Sequence, residues 1–147
     1  MSHENVEVVR RFYAEFARDL ASQEHSDAAL EALLDPEISV DQTRRALNPA
    51  TYHGYEGVQR GMEEIGEAWE RFSLEPERFI EAGDQVAVVE TVRGMGRGSG
   101  VKVVNRAGSI YTLRAGRIVG LVVYWDPSEA LEAAGLEVGG RTSNAEV

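Results

Sequence analysis

The 147-residue chain has no cysteine and only three histidines, so any chemistry it performs falls mainly to carboxylates, phenols and hydroxyls. Disulfides, thiolate metal sites and cysteine nucleophiles are excluded. His3, His25 and His53 stand far apart, with no pair at a spacing of three or four, and the acids fall mostly on helix faces where solvation explains them. No metal site and no cofactor site is expected. A G-x-S-x-G elbow is absent too, which argues against the usual serine hydrolase. The candidates that remain are polar groups set within apolar patterns, where a carboxyl or hydroxyl can act as acid, base or hydrogen-bond donor out of contact with water.

Glu90 interrupts the apolar series Val86, Val88 and Val92 on one strand face. If that face lines a pocket, Glu90 is a buried acid whose pKa burial raises; an ion pair with Arg93 or Arg106 is the structural alternative. Ser109 and Tyr111 share a face of another strand, and Trp125 stands in phase with Leu121 and Val123, as a ligand contact or a core aromatic. Tyr13 lies on the apolar stripe of a helix, where its ring packs whether or not its hydroxyl has a further task. Alternation pairs Ser39 with Asp41 on the face opposite Ile38 and Val40, which by itself sends Asp41 to solvent. Tyr52, His53 and Tyr55 fall in a connecting segment that either closes over a pocket or anchors itself.

The elements that must position these groups follow from periodicity. Val6, Val9, Tyr13, Phe16 and Leu20 predict an amphipathic helix over 5–20, capped by Asn5. A short helix over 26–34 stops at Asp35-Pro36, a brief strand follows around 38–41, and 42–57 reads as a long loop. Val58, Met62, Ile65, Trp69 and Phe72 predict a third helix running from about Glu56 through Phe72, with Trp69 on its core face. Segments 74–81, 85–93, 101–113 and 117–125 are β-rich and joined by short links, so they predict an antiparallel meander. Asp126, Pro127 and Glu129 start a last helix that ends at Gly135, and 137–147 reads as a disordered tail. One α+β domain over 5–136 results, with helices packed on one face of the sheet.

Charge narrows the partners. Twenty-five acidic residues against 15 basic give a net charge of −10, which would repel a phosphate backbone, so no nucleic acid is expected. The glycine-rich stretch 93–100 has no P-loop spacing and leads into a strand rather than a helix, so it reads as a hairpin tip. No apolar run approaches the roughly 20 residues that span a bilayer, and the first residues lack the regions of a secretion signal. The expectation is a soluble cytoplasmic protein with no membrane partner.

The turn Arg114-Ala115-Gly116-Arg117, the strand ending in Tyr124-Trp125 and the Asp126-Pro127 helix, read with the N-terminal helix, resemble the SnoaL-like group of the NTF2-like superfamily. The resemblance covers about 5–136. It implies a cone of N-terminal helices on a curved, mainly antiparallel sheet, a homodimer, and an apolar pocket for a small, flat or cyclic molecule. In the ketosteroid isomerases of that superfamily, a first-helix tyrosine and an aspartate after the second helix face the pocket, and Tyr13 and Asp41 fall at the matching places. A second acid of those enzymes aligns with Ser109, and a pocket aromatic with Trp125. Proton abstraction beside a carbonyl needs a desolvated base and donors where enolate charge develops. The positions that serve limonene epoxide hydrolases hold Glu90, Val92 and Val123, which do not match.

The resemblance therefore implies cofactor-free acid/base chemistry beside a carbonyl. Isomerisation and a polyketide-cyclase-like aldol closure are its two forms, with Asp41 as base and Tyr13, assisted by Ser109, as donor. Glu90, Tyr111, Trp125 and His53 complete the candidate site. A non-catalytic binding module and a dimerising protein-association domain are the alternatives.

Overall fold

Residues 2–21, 28–44 and 50–136 are described by the structure, a computed structural model. In chain order they form α1 (Ser2–Ala21), α2 (Ala28–Glu31), β1 (Leu34–Arg44), β2 (Thr51–His53), α3 (Gly54–Ala68), β3 (Trp69–Ala82), β4 (Gln85–Gly96), β5 (Lys102–Arg114), β6 (Arg117–Tyr124) and α4 (Pro127–Ala133). The strands make one six-stranded sheet in the order β2-β1-β6-β5-β4-β3. All neighbours are antiparallel except β1 and β6. The expected meander is present as β3 to β6, and helices on a curved sheet make the expected α+β cone. The expected tail over 137–147 lies outside the described residues.

Three boundaries differ from the sequence reading, each for a tertiary reason. The brief strand around 38–41 extends over Leu34–Arg44, because parallel pairing with β6 supplies backbone partners along that length. Part of the expected loop pairs with it as β2, with Val40 opposite Tyr52. The third helix stops at Ala68, and Trp69 is already extended at φ −121° and ψ 131°. Trp69 and Phe72 instead pair with Gly96 and Gly94 on β4. Arg97 fixes this junction by donating from its guanidinium to the carbonyl oxygens of Gly66 and Trp69.

The two sheet faces have different coverings. Val6, Val9, Phe12 and Phe16 of α1 pack with Val86, Val88, Leu113 and Ile118 of the inner face. On the outer face, Leu131 of α4 packs with Ile80, Ala87 and Val89. That short helix is fixed at both ends. The Asp126 carboxylate accepts from the Ser128 amide at 2.9 Å and from its hydroxyl at 2.8 Å. At the other end Gly135 adopts φ +78°, while the Leu136 amide donates to the Leu131 carbonyl at 2.8 Å. Among the described residues, no helix is long and apolar enough to cross a membrane.

Candidate functional site

Strand alternation decides which side chains look inward. Leu34, Ile38, Val40 and Gln42 of β1, together with Glu90 and Val92 of β4, line a cavity of about 510 Å³ between the sheet and α1 and α3. Phe12 and Phe16 close its deep end, and Trp69, Gly94, Val103 and Trp125 lie along its rim of strand ends. The walls are mainly apolar and aromatic.

Glu90 is the one acid among the described residues that is both buried, at 2 % exposure, and on this wall. The Tyr13 hydroxyl donates to its Oε1 at 2.7 Å and the Ser109 hydroxyl to its Oε2 at 2.6 Å. Two hydroxyls thus hold the carboxyl in one orientation. The alternative ion pairs are not formed. Arg93 binds Glu75 and Arg106 binds Glu77, both on the outer face with Thr91, which donates its hydroxyl to Glu77. Burial pushes the Glu90 pKa up, while the bonds from Ser109 and Tyr13 pull the other way. Burial and then the Glu90 charge raise the phenols of Tyr13 and Tyr111 well above their ordinary value.

This shift has a consequence for stability. A folded-state pKa above the unfolded one means that Glu90 contributes most at pH below its ordinary value of 4.5, and that the contribution is lost as pH rises through the folded value. Glu90→Gln should therefore gain stability relative to the natural chain as pH rises from 4 to 8. Denaturant midpoints at both pH values check this; a difference independent of pH would show that folding leaves the Glu90 pKa unchanged.

Of the expected site residues, Glu90, Ser109, Tyr111 and Trp125 come together on the cavity wall. Tyr13 reaches the same carboxyl from within the core, its ring edge-on to Phe12, Phe79 and Tyr111. Asp41 is a correction. Its neighbours Val40 and Gln42 line the cavity, so its side chain leaves from the other face. There it accepts from the Thr43 hydroxyl at 2.6 Å and amide at 2.8 Å, bonds that lower its pKa. A half-buried carboxylate tied to its own strand on the far face has neither the desolvation nor the position of a cavity base.

His53 is corrected likewise. It sits at the start of α3 with a side chain 69 % exposed, 3.8 Å from Glu37, and does not line the cavity. Its neighbour Tyr52 does, packing on Gly57 and Gly61 and donating to Glu64.

The sequence reading missed Trp69 and Asn105. Helical spacing predicts Trp69 on the core face of α3, whereas it stands at the cavity rim, over Gly94. Asn105 lines the wall and donates its side-chain amide to the Trp125 carbonyl at 3.2 Å, steadying the rim. A Cβ at Gly94 would meet the Trp69 ring at 2.7 Å, so the glycine leaves the space in which that ring lies. Gly94→Ala should drive the ring from its place and weaken binding of a cavity-filling probe by about tenfold. Unchanged tryptophan emission and unchanged affinity would show that the rim tolerates the methyl group.

The family model for the SnoaL-like domain matches residues 9–121. No curated protein matches the chain. Solved structures match it closely in shape. An NTF2-like protein of unknown function from Burkholderia pseudomallei is 23 % identical, with a TM-score of 0.68 over 88 % of this chain and 95 % of that one. A protein of ketosteroid isomerase-like fold from Catenulispora acidiphila, solved with trimethylamine, is 18 % identical, with a TM-score of 0.67 over 89 % and 94 %. A proposed SnoaL-like polyketide cyclase from a Jannaschia species is 20 % identical, with a TM-score of 0.69 over 92 % and 94 %.

Proposed function

For this chain, which belongs to the SnoaL-like domain family, we propose a cavity that binds a small cyclic carbonyl compound and a carboxyl, Glu90, that moves a proton beside that carbonyl. One observation carries the reading: an apolar cavity of about 510 Å³ has on its wall a buried acid with no cationic partner among the described residues, held by two hydroxyls. Such an acid is desolvated and oriented, the two conditions that a base for a weak carbon acid needs.

In the proposed step the Glu90 carboxylate takes a proton from the carbon next to the carbonyl, and the C–H electron pair moves into a carbon–carbon double bond as charge passes to the oxygen. Ser109 and Tyr111 are the donors on the neighbouring strand for that developing charge. Once Glu90 is protonated it needs the Ser109 hydroxyl less, which frees that donor for the enolate. Return of the proton to another carbon gives isomerisation; attack of the enolate carbon on a second carbonyl, with the proton passing from Glu90 to the alkoxide that forms, gives aldol closure. Asp41, on the wrong face, has no part in either.

A co-crystal with 2-tetralone tests the placement. The ketone is expected inside the cavity with its α-carbon beside Glu90, and density confined to the outer surface would contradict the reading. A binding module is the second reading, favoured by the fact that both Glu90 oxygens already accept a hydrogen bond. It predicts the same co-crystal without any proton transfer.

A further inference from the structure

The charge of the cavity's ligand is written in what its wall lacks. Among the described residues, its ionisable groups are Glu90, Glu64 and three tyrosines, Tyr52, Tyr111 and Tyr124, and none of its lining is lysine, arginine or histidine. Four arginines among the described residues are held by other groups. Arg10 lies over the Phe79 ring at 4.4 Å, Arg44 over Tyr124 at 5.7 Å, and Arg93 and Arg106 are held by glutamates on the outer face.

We propose that the cavity selects against negative charge, so that its ligand enters as an uncharged aromatic or alicyclic carbonyl compound and the corresponding carboxylates are rejected. This rests on the reading of the cavity as a ligand pocket, but not on any proton transfer by Glu90. An anion buried there would lose its hydration and find no counter-charge among the described residues of the wall. With Glu90 ionised it would also meet like charge across a medium that screens poorly. With Glu90 protonated the repulsion goes, yet the anion still lacks a cation. A neutral ketone faces neither penalty, whatever the state of Glu90.

The test uses two probes of almost the same shape, 2-acetylnaphthalene and 2-naphthoate, which differ by a methyl group in place of a charged oxygen. Calorimetry at pH 8 should show the ketone binding at least about 30-fold more tightly. Glu90→Gln, which keeps a polar side chain of the same size, should bring the two affinities closer. Equal affinities in the natural chain, or binding of neither probe, would overturn the proposal without any variant. An unchanged ratio in Glu90→Gln would overturn the part given to Glu90. Failure of the proton-transfer reading is distinguishable: the ketone would bind, the carboxylate would not, and no exchange of the ketone's α-protons would follow.

Discussion

Glu90→Gln is expected to slow proton transfer from a bound enolisable ketone by about 10³-fold, with ketone affinity changed by no more than a few fold. The amide cannot accept a proton as the carboxylate does, yet its oxygen can still accept from one of the two hydroxyls that hold Glu90. The cavity walls are untouched, so uptake survives while the chemistry does not. Asp41→Asn should leave the rate near that of the natural chain, because its carboxyl is bound to Thr43 on the opposite face. Tyr13→Phe should fall between them. It removes the 2.7 Å bond that orients Glu90 but leaves the base itself. Rates of deuterium uptake separate the three, and equal losses in the Asp41 and Glu90 variants would contradict the assignment.

The largest expected loss of stability comes from a single methyl group on the other side of the sheet. Gly108 lies under α4, and a Cβ there would stand 2.6 Å from the Ala130 Cβ and 3.0 Å from the Pro127 backbone. Ala130 is itself buried, so neither side has room to yield. Gly108→Ala is expected to cost about 2–3 kcal/mol, a fall in Tm of roughly 4–12 °C for a chain of this size. Gly120→Ala is the matched control, since its nearest neighbour, the Thr112 Cβ, would lie at an ordinary 3.6 Å. It should change stability by less than about 0.5 kcal/mol. Trp125 directly precedes the Asp126 cap of α4, so displacement of the helix should also disturb the cavity rim and weaken ligand binding. A Gly108→Ala variant as stable as the control would show that α4 is free to lift away.

Periodicity and turn chemistry made most of the architecture legible. Apolar positions on α1, alternation in β4 to β6 and the Asp-Pro start of α4 each follow from local rules that the tertiary structure does not oppose. The α3–β3 junction was illegible because Val58, Met62, Ile65, Trp69 and Phe72 all face the same cavity. Facing one cavity from a helix and then from a strand happens to reproduce helical spacing. At Asp41 the local rule and the family resemblance disagreed, and strand alternation prevailed. Arg93 stands an odd number of residues from Glu90, so alternation alone places it on the other face; the fate of Arg106 needed the β4–β5 register, which puts it opposite Thr91. The bond between Tyr13 and Glu90 joins positions 77 residues apart, a contact that no local pattern encodes. Trp69 at the rim depended on Gly94, whose lack of a side chain has no visible purpose until the strands are paired.

The most direct test of the account is the rate of deuterium incorporation into 2-tetralone in D₂O, followed by proton NMR with the natural chain and with Glu90→Gln. Exchange well above the buffer rate is expected with the natural chain, saturating with ketone concentration, and a return almost to the buffer rate with the variant. Exchange at the buffer rate with both, while the ketone is seen to bind, would contradict Glu90 as a base and leave the cavity as a binding site alone.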